Sequence, residues 1–210
     1  MLYFIIFTVL YGLTPFLLQL FINKRVKNNY ILPFTLVVFI ASLYEFVGSF
    51  LLKINVEYWF LIYGMMAFIG IHYYFYYLLN KRFRLFFTIS AIIFIISYVS
   101  SIMLRLSEDF FIMKSLFKVY QTIIILVFSF LWFTKIFQEL KSESLLQSSD
   151  FYYVSGLLIY YCGTVFLFLS ASSIYATDQS KFQYYWLLNI ILNFVIRTLL
   201  IVGIWKARRV

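Results

Sequence analysis

The sequence predicts one all-α domain, residues 1–210: a polytopic integral membrane protein of seven transmembrane helices, N-terminus outside and C-terminus inside. Three observations predict it. The chain is 64% hydrophobic and 12% charged, whereas a soluble domain is nearer half apolar and a quarter charged. Its apolar residues run continuously over span-length stretches with no polar face. Its Lys and Arg collect in alternate connections between those stretches.

Crossing about 30 Å of hydrocarbon at about 1.5 Å per residue takes roughly 20 apolar residues. Residues 2–22, 31–52, 58–79, 85–104, 116–137, 152–173 and 184–205 qualify. Lipid offers backbone polar groups no water to bond, so each run must be helical. A membrane β-barrel would show short alternating strands, and these runs do not alternate. The first run lacks a basic lead and a small-residue cleavage site, so it reads as a retained helix and not as a signal peptide.

The connections orient the chain. Lys24, Arg25 and Lys27 follow the first span, Lys81, Arg82 and Arg84 follow the third, and Lys206, Arg208 and Arg209 follow the seventh. The opposite connections are balanced: Lys53 with Glu57, Arg105 and Lys114 with Glu108 and Asp109, and Lys181 with Asp178. Lys and Arg accumulate on the cytoplasmic side, which puts the basic set inside. The fifth connection, with Lys135 and Lys141 against Glu139, Glu143 and Asp150, is not basic and follows from the helix count alone. The bias toward Phe, Ile, Tyr, Asn and Lys points to AT-rich coding and a bacterial inner membrane.

Composition also excludes functions. The net charge of +9 sits at helix ends and forms no nucleic-acid face. The single Cys162 supports neither a disulfide nor a cysteine metal site. No Asp lies within a predicted span, so paired aspartyl chemistry is missing, and no H-E-x-x-H motif occurs. The longest connection, residues 138–151, leaves no room for a soluble catalytic domain between the spans. The expected protein is not an enzyme and needs no cofactor or metal.

Ionisable residues inside spans are expensive and are functional candidates. Glu45 lies about 10 Å below the outer surface, with Ser42 and Ser49 on its face. Tyr63, Gln121 and Asn189 fall at the same depth on other spans, and Lys118 sits one turn above Gln121. Together these would line a ligand pocket in the outer half; otherwise Glu45 only joins helices. Asn189, Asn193 and Arg197 recur every four residues as one polar stripe of the last span. Arg197 either reaches the inner interface or lines a path with Asn193. His72 is either a hydrogen-bonded structural residue or a group for pH sensing or proton movement.

Tyr58-Trp59 and Tyr185-Trp186 each open a span, and Gly48 and Gly163 occupy comparable positions one span earlier. That would suit a three-plus-one-plus-three repeat, as some small transporters have. The run Asn189-Ile190-Ile191-Leu192-Asn193, continuing to Gly203-Ile204-Trp205 and a basic end, resembles the final helix of seven-helix membrane sensing regions. Such regions precede bacterial histidine kinases or stand beside them. The resemblance implies a sensory subunit that biases a partner kinase; another signalling protein, or a second copy of the chain, within the bilayer is a further candidate partner. A solute or ion transporter lined by the same residues, or a membrane effector of phage defence, are the competing readings.

Overall fold

The computed structural model describes residues 2–22, 29–54, 57–79, 83–105, 110–139, 145–177 and 179–208, which are helical almost throughout, with no strand among them. Five stretches are long and apolar enough to cross a membrane: Tyr3–Phe21, Leu32–Leu51, Phe117–Gln138, Ser149–Ala171 and Phe182–Ala207. A shorter apolar helix covers Arg84–Ser100. Lys24, Arg25, Lys27, Lys81, Arg82 and Arg209, which orient the chain in the sequence reading, lie outside the described residues, as do Glu108, Asp109, Lys141, Glu143 and Asp178.

The first apolar run is not one helix. It divides into α1 (Leu2–Tyr11) and α2 (Thr14–Ile22). Pro15 has no N–H to offer the Tyr11 carbonyl, so the α-ladder breaks there. The Thr14 hydroxyl takes over that carbonyl at 2.7 Å. Within a membrane such a break is tolerated only where neighbours re-satisfy the freed backbone groups.

The second run also departs from a plain α-helix. Pro33 opens α3 (Leu32–Leu43) in its first turn, where no N–H is missed. From Tyr44 to Leu51 the chain widens into a π-helix, and the Leu52 N–H bonds the Val47 carbonyl at 2.9 Å. It ends at Lys53, which adopts a left-handed φ of 54°, and the Ile54 N–H returns to Gly48 at 2.9 Å. Single-turn π-bulges are the usual form, and they favour functional sites.

Regular helices follow: α4 (Glu57–Leu78), α5 (Arg84–Arg105), α6 (Phe110–Glu139), a 3₁₀ turn at Leu145–Gln147, α7 (Ser149–Thr177) and α8 (Gln179–Ala207). The later helices outrun their predicted spans. Asp150 therefore belongs to α7, where it accepts a 2.9 Å bond from the Tyr74 hydroxyl. That corrects the expectation that no Asp lies within a span. Lys135, already inside the predicted run 116–137, belongs to α6 and donates to the Leu78 carbonyl at 3.3 Å.

From α2 onward consecutive helices pack side by side, and α8 returns against α1 and α2, so the packing closes into a ring with α4 also touching α6. Close approaches rely on glycine. A Cβ on Gly70 would stand 3.0 Å from the Phe34 Cα, so this small residue lets α3 and α4 meet. Phe68 stacks on Phe94 at 3.6 Å between centroids, and Phe87 on Phe128 at 4.5 Å, which binds α4, α5 and α6. Gln19 donates to Asn29 and accepts from Thr35, closing the far end of α2 on α3. Outward-facing apolar side chains stay exposed, Leu85 at 75% and Phe130 and Phe166 at 71%. A hydrocarbon solvent fits that surface, and this is a membrane-spanning helical protein.

The elements that an internal repeat would pair are unlike. The broken α1–α2 would match the unbroken α6, and the π-helical end of the second run would match the regular α7. Gly48 sits within the π-helix, whereas Gly163 packs on Leu192.

Candidate functional site

A partly open cavity of about 540 Å³ lies inside the ring, toward the end that holds the N-terminus and the α7–α8 connection. Ligand pockets occupy a range of about 300–1,000 Å³. Its walls come from α1, α3 with its π-helical extension, α4, α6, α7 and α8.

At the deep end stands Arg197 of α8, only 4% exposed. Its guanidinium donates to the Thr8 carbonyl of α1 and lies 3.9 Å from the Glu45 carboxylate. Room for it exists because residue 12 has no side chain. A Cβ on Gly12 would come within 2.7 Å of the Arg197 Cζ and also strike the Ser42 hydroxyl. The break before Pro15 and the arginine thus belong together: one opens the α1–α2 corner and the other fills it. Of the two alternatives for Arg197, reaching the inner interface is not the one its contacts show, because its guanidinium meets Glu45 and Thr8 at the cavity.

Glu45 lies in the first turn of the π-helix. Protein surrounds it, yet its side chain keeps 45% of its surface free because it faces the cavity. Next to it, Tyr44 stacks on Trp59 at 4.2 Å, and Trp59 leans on Tyr63 with centroids 6.3 Å apart. The hydroxyl of Ser49, also in the lining, is buried without a hydrogen-bond partner among the described residues.

Across the cavity, Lys118 of α6 is 8% exposed. Its ammonium sits over the rings of Tyr160 and Tyr161, at 4.3 and 4.1 Å, with Phe168 at 5.4 Å. Gln121, one turn along, donates to the Gly64 carbonyl at 2.9 Å and so ties α6 to α4. On α8, Asn193 donates to the Asn189 carbonyl at 2.9 Å.

Glu45, Tyr63, Gln121 and Asn189, expected from sequence to share one depth, and Lys118, expected one turn above Gln121, all line this cavity, together with Asn193 and Arg197. His72 does not. It faces α5, with Nε2 at 3.0 Å from both the Phe87 carbonyl and the Ser90 hydroxyl, and rings of Phe87 and Phe128 around it. These are the contacts of a residue that joins helices. Thr8, Gly12 and Tyr160 were missed by sequence reasoning. The Gly12…Pro15 spacing inside an apolar run was the readable signal for the first two; nothing marked Tyr160. No group of three or more His, Cys, Asp or Glu that could hold a metal occurs among the described residues.

Protein-family models, curated proteins and solved structures yield no match to this chain. The cavity and its charges are what a functional reading must rest on.

Proposed function

We propose that the protein is a seven-span membrane receptor or sensor subunit, N-terminus outside, which binds a small ligand in this cavity and signals to a cytoplasmic or membrane partner. The other two spans are α4 and α5, whose lengths match the predicted runs. The observation that carries the reading is the convergence of polar side chains from α4, α6, α8 and the π-helix on one cavity whose deep end is tied by Arg197. A ligand that engages Glu45 competes with Arg197 for the carboxylate. Relaxing that pair loosens α8 from the π-helix that carries Glu45, and α8 runs on to Trp205, Lys206 and Arg208 at the inner end. Packed helices switch between discrete arrangements, so a shift of about 1–2 Å suffices for a signal. A histidine kinase is the kind of partner such a helix end would bias.

Transport is the second reading, and one observation favours it. The α1–α2 break and the π-helix both flank the cavity, and interrupted helices mark substrate sites in transporters. Access separates the two. With Cys162 replaced by Ser, Asn189→Cys should react with a membrane-impermeant thiol reagent added outside and stay protected in inside-out vesicles. Reaction from both faces would replace the receptor with a transporter.

Orientation has its own check. A reporter fused after Val210 should be active only if it works in the cytoplasm, because the basic ends follow alternate helices. Activity of a reporter that needs the outer compartment would overturn the seven-span topology.

A further inference from the structure

We propose that the cavity's ligand is an amphiphile with a single anionic head, and that Lys118 holds that head. The inference rests on the cavity being a ligand site and adds the ligand's chemistry. Inside the cavity the charges do not balance. Glu45 supplies one carboxylate, and Arg197 stands 3.9 Å from it. Lys118 adds a second cation, 8% exposed, with aromatic faces around it and no carboxylate or hydrogen-bond acceptor among the described residues. Aromatic faces attract an ammonium, but they replace only part of the hydration it loses on burial. An anion entering the cavity completes the pair and is held in a low-dielectric setting, where such a contact is strong.

The walls describe the rest of the ligand. Phe46, Phe50, Trp59, Phe117 and Trp186 line the same cavity, so the body that follows the head is apolar. Cation–π geometry adds a reason for the lysine to stay put. The rings of Tyr160 and Tyr161 meet nearly edge to face, at 89°, and fix the ammonium from two sides while leaving its cavity side to the ligand. The head can come from a free carboxylate amphiphile or from an anionic lipid; the recognising chemistry is the same.

The test uses the full chain in nanodiscs of phosphatidylcholine with radiolabelled decanoate as the probe. Decanoate should be retained, and decanol or decyltrimethylammonium at equal concentration should not displace it. Lys118→Met should weaken decanoate at least about thirty-fold, the loss that follows when one partner of a buried charge pair is removed. Lys118→Arg should keep it within a few-fold. Dye reaction at Cys162 during heating shows whether each variant is folded. Displacement by the matched alcohol or ammonium, or undiminished decanoate binding by a folded Lys118→Met, would overturn the anionic head while leaving the cavity a ligand site. Retention of none of the three probes by the wild type would remove the ligand site as well. If Lys118→Met does not fold, the head-group preference of the wild type still decides. Replacing part of the phosphatidylcholine with phosphatidylglycerol separates the sources. Competition through Lys118 assigns the head to a lipid, and undisturbed decanoate assigns it to a free amphiphile, each in support of the anion.

Discussion

Arg197→Met is expected to lower the unfolding midpoint by about 6–12 °C, and Glu45→Leu placed in the same chain to recover most of the loss. Arg197 is 4% exposed and holds both the Thr8 carbonyl and, at 3.9 Å, the Glu45 carboxylate. Removing it leaves a carboxylate unpaired in a mostly apolar cavity and an α1 carbonyl without its extra donor. Breaking a buried pair from one side costs about 3–5 kcal/mol. Glu45 faces the cavity and retains some hydration, so a value on the order of 3 kcal/mol is the one to expect. At about 2–4 °C per kcal/mol for a chain of this size, that gives the stated shift. Replacing both charges removes the orphan, and buried pairs exchanged for apolar residues are often neutral. The measurement is dye reaction at Cys162, the only thiol, as temperature rises. An unchanged midpoint for Arg197→Met, or a double variant as unstable as the single one, would show that the pair does not hold the helices together.

Gly12→Ala should cost about 1–3 kcal/mol, as overpacking of a filled interior does. The same substitution in an Arg197→Met background should cost less than half of that. The glycine is not there for its backbone freedom, since no described glycine has a positive φ. It is there for space: an added Cβ would stand 2.7 Å from the Arg197 Cζ and 2.9 Å from its Nε. Alanine must push the guanidinium away from the α1–α2 corner, and with it the contact to Glu45. Once the guanidinium is gone, only the Ser42 hydroxyl, the end of a rotatable side chain, still has to move aside for the methyl group. Residues that share a contact are non-additive by about 0.5–3 kcal/mol, so the cycle measures the coupling directly. Additive losses would mean that Gly12 and Arg197 act independently, and the corner would then be no part of the deep end of the cavity.

Much of the architecture was readable from composition and run length. A hydrocarbon solvent leaves a backbone no partner but itself, so long apolar runs in this chain can only be helices. The side-chain depths were readable too, because 1.5 Å of rise per residue is a ruler. Counting along it put Glu45, Tyr63, Gln121 and Asn189 on one level, with Lys118 a turn above, and the cavity holds them all. The same ruler misled where the helix was not regular. It separated Glu45 from Arg197 by depth and left the arginine either reaching the inner interface or lining a path with Asn193. A π-helix gains less height per residue than an α-helix, and a break at Gly12 opens a corner that a straight span would have closed. Neither departure shows in hydropathy, although Gly12 and Pro15 within one apolar run were visible marks of the second.

Sequence by itself determined that this chain is helical, suited to a membrane and poor in polar groups except on a few faces, because solvent and helical period act locally. Only the tertiary structure decided which of those polar groups meet. Pairing depends on distances between residues far apart in the chain, such as Thr8, Glu45 and Arg197, and on a glycine that yields its volume to a guanidinium. It also divided two candidates that look alike in sequence. His72 spends its ring nitrogen on α5, whereas Lys118 keeps its ammonium among aromatic rings at the cavity wall. The physical reason is that a polar residue in an apolar helix has its cost fixed by its own position, while what offsets that cost is set by whichever helix packs against it.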